Sequence, residues 1–539
     1  MEDVGAKRDG ITVDGLARML RDGKITRRGF LARAAALLGS MAAAEGVLAR
    51  VGGAQTTTKT NLVIGQSSDI SKLDPHLSTT VNDIAVTFNL YDNLLTRRLD
   101  GKLYPSLATE WKLVNPTTWQ FKLRPDVKFH NGDPLTAADV KFSFERSYDL
   151  TAKVITTSVL NTIERIETPD PYTVTIITKK PDPLLAARTS FYAGQIMPKA
   201  YFEKVGADEF NAKPIGSGAV KFASWVKDDR LVLDANRDYW GGKIDADQVI
   251  FRPIPELSAR LAALLKGEVD LITKIPPDHV ERVAKNPTTK IEGVLYAGLY
   301  IFAVGTQRPP LDSKPFRQAL SLAIDRETIV KELWRGQAAV PTGPIVKTDN
   351  HYDDSLPPLK YDPDRAKQLL KEANYKGEEM IIESAVGVIV LDREMSEVIV
   401  SMWKSVGINA KLELLEYSVF LQKVREKTTF KGVRWSDPTS AYSDPDGMMW
   451  RHLALGGPTA YWFRHPRFDE LGNAARLSVD EKFRGEAYKE MTNLLFEYLP
   501  WIPVIQPMEL YGLQKYLDWK PYANQTMEFR RFNLKFNRA

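Results

Sequence analysis

The residue types best suited to ligand chemistry lie in one short segment, WSDPTSAYSDPD, which runs from Trp435 to Asp446. It combines the aromatic side chains of Trp435 and Tyr442 with three carboxylates, among them Asp437 and Asp444, and two turn-forming prolines. Aromatic rings offer flat surfaces to an apolar ligand body, and carboxylates bind cationic or polyhydroxyl groups. The segment therefore predicts a ligand-binding loop, although an ordinary Asp-Pro turn beside a core Trp has the same composition.

Motifs of the common enzyme classes are missing from the sequence. It contains no G-x-S-x-G, no G-x-x-x-x-G-K-[ST], no H-E-x-x-H and no G-x-G-x-x-G. The six His are not spaced to place two imidazoles on one helix face, and the chain has no Cys. We therefore expect no catalytic residue, no metal site and no cofactor. A secreted hydrolase that pairs carboxylates such as Asp437 and Asp444 is the remote alternative.

The first 54 residues differ in kind from the rest of the chain. A polar stretch with Arg27 and Arg28 precedes a weakly apolar run over 30–48, and small residues end at Ala54. This order predicts a signal peptide over 1–54, cut before Gln55, and the letters TRRGFL resemble a twin-arginine export signal. The alternative is an N-terminal amphipathic helix that stays attached.

Composition beyond this leader narrows the possible partners and location. Residues 55–539 contain 64 basic and 62 acidic residues, which are interspersed, so nucleic acid is not an expected partner. We find no run of about 18 apolar residues that could cross a membrane. No Cys is available for a lipid tether. Together these features predict an exported, periplasmic protein.

Periodicity predicts strands early in the chain and an α/β arrangement later. Apolar residues alternate with polar ones in the short strands, and recur at helical spacing in the longer segments. Pro, Asp-Pro and Gly mark the helix ends. The predicted strands are 119–123, 172–176, 231–233 and 410–414, and the predicted helices are 315–336, 362–370 and 393–406.

A resemblance to a known family extends over nearly all of the chain beyond the leader. The longest motif is WQFKLRPDVKFHNGDPLTAADVKFSFER, residues 119–146. It is similar to the signature of the dipeptide-, oligopeptide- and nickel-binding receptors of ABC importers, family 5 of the solute-binding proteins. Further landmarks follow in the family's order: PIGSG (214–218), NRDYWGG (236–242), ARLAALLKGEVD (259–270), FRQALSLAIDR (316–326) and YDPDRAKQLL (361–370).

The resemblance implies an α/β fold of the periplasmic-binding-protein type, class II, in its three-domain variant. Two lobes would enclose a cleft and be joined by a two-segment hinge. The implied boundaries are 60–92, 211–292 and 506–539 for the core of lobe I, 93–210 for its small extra domain, and 293–505 for lobe II. The expected partners are a small-molecule ligand and the permease subunits of an ABC importer, and the expected state is a monomer.

The resemblance also assigns roles within the ligand site. Peptide-binding members hold a ligand ammonium with an Asp that follows a Trp, which here points to Asp437 after Trp435. The spacing departs by about one residue, so Asp444 is a rival. The Arg that holds a peptide carboxylate falls at Arg393.

These assignments leave the ligand open between two classes. If Asp437 and Arg393 both face the cleft, a zwitterion of dipeptide size is favoured, because a buried charge must be matched. If only the carboxylates face it, a sugar-like, opine-like or amine-like ligand fits better. A sensory receptor on the same scaffold is a further alternative.

Overall fold

The computed structural model describes residues 60–537 except 79, 153, 155, 386, 427–429 and 455–462, together with 12–13, 15–16, 19, 25 and 27–38. It forms two compact units, Met1–Thr60 and Asn61–Ala539. In the first unit, helix α1 (Arg27–Leu38) buries Phe30 and Ala34 in a cluster with Leu16. The cleavage point predicted between Ala54 and Gln55 lies outside the described residues.

The second unit contains strands, helices and short helical turns throughout its length. Its strands are β1 (Asn61–Gln66), β2 (Leu95–Arg97), β3 (Leu103–Pro105), β4 (Ala108–Asn115), β5 (Thr118–Leu123), β6 (Ile163–Asp170), β7 (Thr173–Thr178), β8 (Val220–Val226), β9 (Arg230–Ala235), β10 (Gln248–Pro253), β11 (Leu271–Ile272), β12 (Thr289–Leu295), β13 (Tyr300–Val304), β14 (Ala338–Ala339), β15 (Met380–Ser384), β16 (Ala410–Leu414), β17 (Val433–Ser436), β18 (Trp501–Gln514), β19 (Leu517–Trp519) and β20 (Leu534–Phe536).

Helices in this unit flank the strands. They are α2 (Val81–Leu90), α3 (Ala137–Tyr148), α4 (Thr157–Leu160), α5 (Leu185–Arg188), α6 (Lys199–Ala212), α7 (Leu257–Leu265), α8 (Val280–Lys285), α9 (Lys314–Leu322), α10 (Arg326–Thr328), α11 (Pro363–Glu372), α12 (Asp392–Ser405), α13 (Tyr417–Arg425), α14 (Arg451–Leu453), α15 (Pro466–Leu477) and α16 (Glu481–Tyr498). Short 3₁₀ turns lie at Leu150–Ala152, Tyr192–Gly194 and Pro277–His279, and π turns at Ile329–Leu333 and Asp446–Trp450.

One large mixed sheet is organised around the long strand β18. Its strand order is β16-β15-β17-β13-β18-β11-β1-β10-β9-β8, and β12 and β14 also pair with β18. The first part of β18 pairs with β13, and its last part pairs with β11 and β12. A single strand therefore belongs to both halves of the sheet.

We call the half with β1 and β8–β11 lobe I, and the half with β13 and β15–β17 lobe II. Each half has its own apolar core: Ile64, Leu233 and Val249 are fully buried in lobe I, and Phe302 and Ile382 in lobe II. A separate antiparallel sheet, ordered β4-β5-β7-β6, covers a third core beside lobe I. The domain boundaries given above stay a prediction.

Most of the predicted elements are present, with ends shifted by a few residues. The strands β5, β7, β9 and β16 and the helices α11 and α12 are confirmed. Local signals explain their bounds: the Asp362 carboxylate accepts from the Arg365 amide (2.8 Å) to cap α11, and Gly407 takes a positive φ of 98° just after α12.

The single long helix predicted over 315–336 is wrong. The chain forms α9, then breaks after Leu322 and restarts as α10, which continues into a π turn. The Asp325 carboxylate accepts from the Thr328 amide (3.0 Å), so it caps a new helix in the middle of the predicted one. The guanidinium of Arg326 donates to the Ser321 carbonyl (2.9 Å), which lies in the last turn of α9 before the break.

Candidate functional site

The loop after β17 carries Asp437 along the edge of lobe II. Backbone hydrogen bonds fix its course: the Leu299 amide donates to the Pro438 carbonyl (3.2 Å), and the Ser440 amide donates to the Ala297 carbonyl (2.7 Å). Because 297–299 lie between β12 of lobe I and β13 of lobe II, the loop is held beside the crossing between the lobes.

The Asp437 carboxylate is exposed to solvent and yet closely surrounded by protein. The surrounding protein disfavours its negative charge and raises the pKa of Asp437 to about 6, against the opposing effect of Lys274. A side chain in a cleft is in contact with solvent and is also enclosed by protein, as Asp437 is. Asp437 can therefore meet a solute without first leaving a core.

Residues of lobe I form the other wall of this cleft, and two of them also interact electrostatically with Asp437. These two are Lys274, just after β11, and Glu509, on β18. Lys274 has a φ of 56°, in the left-handed region that non-glycine residues seldom adopt. Burial raises the pKa of Glu509, whose carboxylate accepts from the Gln525 amide (2.6 Å).

Two buried polar atoms on this wall have no hydrogen-bond partner in the described structure. They are Nε2 of Gln66, at the end of β1, and Oγ1 of Thr273, at the end of β11. Both side chains line a small pocket that Lys274 and Glu509 also line, and are at most 7% exposed. A buried donor or hydroxyl without a partner costs stability, so both are suited to bonding with a bound solute.

Trp435 does not lie on the cleft surface. Its ring is fully buried in the lobe II core, with its centroid 4.1 Å from that of Phe302, and its indole nitrogen donates to the Ser396 hydroxyl (2.8 Å). The ring of Trp435 was predicted to contact the ligand, but it lies in the core. Its effect on the site is indirect, because it anchors the strand that leads to Asp437.

Tyr442 and Asp444 are also buried, and both are engaged with protein groups. The Tyr442 hydroxyl donates to Asp446 (2.5 Å), and the Asp444 carboxylate pairs with Arg484 on α16 (2.5 Å). Burial raises the pKa of Asp444 even though Arg484 opposes the shift. These contacts organise the loop after Asp437.

Arg393 lies on the solvated face of α12. Its side chain is 56% exposed and its Nε donates to Glu397 one turn later (2.9 Å). The structure does not bring it together with Asp437, because an i, i+4 surface pair directs both side chains along the outside of the helix. The carboxylate-binding role suggested by the resemblance therefore has no support in this geometry.

Neither a metal centre nor a membrane span is found in the described residues. Within them, no group of three or more His, Asp or Glu side chains is arranged to hold a metal ion. The helices that the structure describes include none with the length and apolar character to traverse a bilayer.

Comparison with known proteins places the chain in a family. The model of the bacterial extracellular solute-binding proteins, family 5, matches residues 102–459. The chain belongs to this family. It is the substrate-binding component of an ABC importer, and the function inferred from the sequence motifs is confirmed. The two-lobed α/β fold of family 5 is confirmed as well.

Several relatives of this family 5 protein have names that mention different solutes. The di/tripeptide-binding protein 2 of Pseudomonas aeruginosa is 28% identical over 435 residues, which cover 75% of this chain and 81% of the relative. The heme-binding protein A of Haemophilus influenzae is 26% identical over 435 residues, 74% and 78% of the two chains. The protein AgaA of A. tumefaciens R10, solved with agropinic acid, is 25% identical, has a TM-score of 0.77, and is matched over 89% of this chain and 99% of its own.

Sequence reasoning missed the wall of the cleft that lobe I of the family 5 protein contributes. Gln66, Lys274 and Glu509 are far apart in the chain and meet only because β1, β11 and β18 are neighbours in the sheet. No local periodicity links them. The nearest signal was Glu509 itself, a charged residue inside a strand that is buried along almost all of its length.

Proposed function

We propose that this family 5 protein captures a small polar solute in the cleft between Asp437 of lobe II and the lobe I residues Lys274 and Glu509. Its lobes then close around the solute. The observation that carries the proposal is the Asp437 carboxylate, which is open to solvent but enclosed by protein and faces groups of the opposite lobe. A solute bound there contacts both lobes. It therefore stabilises the closed arrangement over the open one, as a receptor requires.

The proposed solute has a positively charged or hydroxyl donor group for Asp437. A di- or tripeptide fits this description, in keeping with the name of the P. aeruginosa relative. An opine is the second candidate, favoured by the agropinic acid bound to AgaA and by the two unpartnered polar atoms of Gln66 and Thr273, which suit a molecule rich in polar groups. We propose that the solute is bound and released unchanged, without catalysis.

The proposed location is the periplasm, where the protein would work as a monomer and deliver its solute to the permease subunits of the importer. The basic, apolar and small-residue order of 1–54, with its TRRGFL motif, supports export by the twin-arginine route. Absence of Cys from the sequence agrees with a protein that has no lipid tether. Sequencing the N terminus of protein taken from the native periplasm tests the cleavage before Gln55.

Asp437→Asn should weaken binding of a cationic solute by about tenfold to a hundredfold, because it removes the negative charge that faces the ammonium. Isothermal titration with an equimolar mixture of di- and tripeptides, and separately with agropinic acid, measures this. Asp364→Asn is the matched control, since that carboxylate is 85% exposed on α11 and pairs with Lys367 at the surface (3.2 Å). Equal affinities for both variants and the native chain would remove Asp437 from the site.

Solute affinity should fall as the pH is lowered through about 6, because only the ionised Asp437 attracts a cation. Below that pH the loss approaches about tenfold for each unit. Lys274, Glu509 and Tyr296 face the same carboxylate, and the pKa values of Glu509 and Tyr296 are raised by burial. In Asp437→Asn the slope near pH 6 should disappear, so an unchanged slope in this variant would assign the proton to another group.

A further inference from the structure

A second cavity of about 400 Å³ lies next to the Asp437 loop and is also shared between the lobes. One side is formed by residues 97–101, the end of β2 and the turn that follows it, which adjoin the third core beside lobe I. The opposite side is formed by 347–350, 440, 441 and 443 of lobe II. Ala297 and Ser440, the hydrogen-bonded pair that fixes the Asp437 loop, line it too. The cavity therefore begins at the end of the Asp437 loop, and its size suits part of a small ligand.

Arg97 brings a positive charge to this cavity. Its guanidinium donates to the Tyr442 carbonyl across the lobes (2.9 Å) and to the Gly101 carbonyl, and within the described residues it has no ion pair with a carboxylate. Burial lowers the pKa of Arg97 to about 10, while the carboxylates of Asp349, Asp444 and Asp100 act in the opposite direction. A guanidinium has five N–H donors, so several remain for a ligand.

The other cations of the cavity are engaged elsewhere. Lys347 pairs with Asp354 (3.2 Å) at the surface. Arg98 stacks over the ring of Tyr104, with 4.3 Å between the guanidinium carbon and the ring centroid. Arg97 is therefore the cation best placed to act on a solute inside.

Asp349 is the second polar group of the cavity that has unused bonding capacity. Its side chain is 5% exposed, its Oδ1 accepts from the Ser440 hydroxyl, and its Oδ2 has no hydrogen-bond partner in the described structure. Burial raises the pKa of Asp349 to about 7, so its neutral, proton-donating form is readily available. An incoming anion favours that form further.

We infer that this cavity holds the carboxylate end of the solute, which accepts hydrogen bonds from Arg97 and from the carboxyl group of Asp349. The inference rests on the proposed function and narrows the solute to molecules with a donor group at the Asp437 end and a carboxylate at the other. Arg97 thereby takes the role that the family resemblance suggested for Arg393. A carboxylate in the cavity touches both lobes and adds to the stability of the closed arrangement.

Two peptide libraries test the inference: equimolar di- and tripeptides with a free C-terminal carboxylate, and the same peptides as C-terminal amides. The native chain should bind the carboxylate library at least about tenfold more tightly than the amide library, as measured by titration and native mass spectrometry. Arg97→Gln should remove this preference by weakening the carboxylate library, while its affinity for the amides changes less than about threefold. Arg97→Lys, which keeps the charge but loses the forked donors, should retain part of the preference.

Two further variants separate the inference from the function on which it rests. Asp437→Asn should weaken both libraries alike, whereas Asp349→Asn, which keeps a donor, should preserve the carboxylate preference. The Arg97 assignment would be overturned if Arg97→Gln lost affinity for both libraries equally, lost none, or bound the amides more tightly. Each of these results would leave the binding function intact. Failure of the native chain to bind either library would overturn both. Circular dichroism of Arg97→Gln and Arg97→Lys checks that each variant folds.

Discussion

Asp92→Asn should lower the free energy of unfolding by about 3–5 kcal/mol, because it leaves the guanidinium of Arg530 buried without its main counter-charge. Asp92 is fully buried just after α2, and its Oδ1 lies 2.6 Å from Nη1 of Arg530, near the end of the chain. Loss of one member of a buried ion pair costs more than the pair itself contributes, since the remaining charge has lost its water as well as its partner.

Neutral groups around Asp92 add to the expected loss. The carboxylate also accepts from the Tyr239 hydroxyl, the Trp240 indole and the Ser217 hydroxyl, each at 2.9 Å. An amide has one acceptor oxygen and cannot satisfy all of these donors. Although burial alone disfavours its charge, Arg530 has a pKa above the ordinary value because Tyr239, Asp92 and Glu528 surround it.

Urea denaturation followed by Trp fluorescence measures this change. The matched control is Asp229→Asn, whose carboxylate is 51% exposed and pairs with its neighbour Arg230 (2.9 Å) at the surface. That substitution should cost less than about 1 kcal/mol, because water screens an exposed pair. Similar losses for Asp92→Asn and the control would mean that the Arg530 charge is compensated elsewhere.

The elements that sequence could predict are those defined by neighbouring residues. Strand β5 alternates fully buried positions with more accessible ones over six residues, and α12 keeps its apolar residues on one face. The same reasoning could have placed two side chains correctly. Val433 and Trp435 alternate within β17 and so share its buried face, and Arg393 with Glu397 has the spacing of a surface ion pair.

The rest of the site depends on contacts between distant parts of the chain. Asp437 was predicted because its local motif resembles the family's. Lys274 and Glu509 reach it only through the sheet order, and Arg97 reaches lobe II only when the lobes approach each other. No pattern within a window of a few residues carries that information, so the residues of the opposite wall needed the folded structure.

Arg188→Met should both destabilise the protein and shift it toward an open cleft, because Arg188 joins the two lobes through a buried ion network. At the end of α5, Arg188 is 2% exposed and pairs with Asp182 in its own domain (2.6 Å) and with Asp446 of lobe II (3.2 Å). Opening the cleft must break the pair with Asp446. The substitution leaves two buried carboxylates without this partner, at a cost of about 3–5 kcal/mol.

Asp446 shows how the cost divides between stability and closure. Burial alone would raise its pKa, but Arg476 and Arg188 together hold the pKa of Asp446 below its usual value. Arg476 remains in Arg188→Met, 3.2 Å from the carboxylate, so lobe II keeps one counter-charge and should stay folded. Loss of the pair between Arg188 and Asp446 therefore destabilises mainly the closed arrangement. As a result, solute affinity should drop by about tenfold to a hundredfold.

Asp182→Asn provides the comparison that isolates closure. It removes the partner of Arg188 in its own domain but keeps the pair between Arg188 and Asp446, so it should lower the midpoint of thermal unfolding while affinity changes little. Small-angle scattering with and without saturating solute reports the lobe arrangement of each variant. Arg188→Met should retain a larger radius of gyration at solute concentrations that close the native chain. If it closes as readily as Asp182→Asn, the network stabilises the lobes separately, and closure depends on the solute alone.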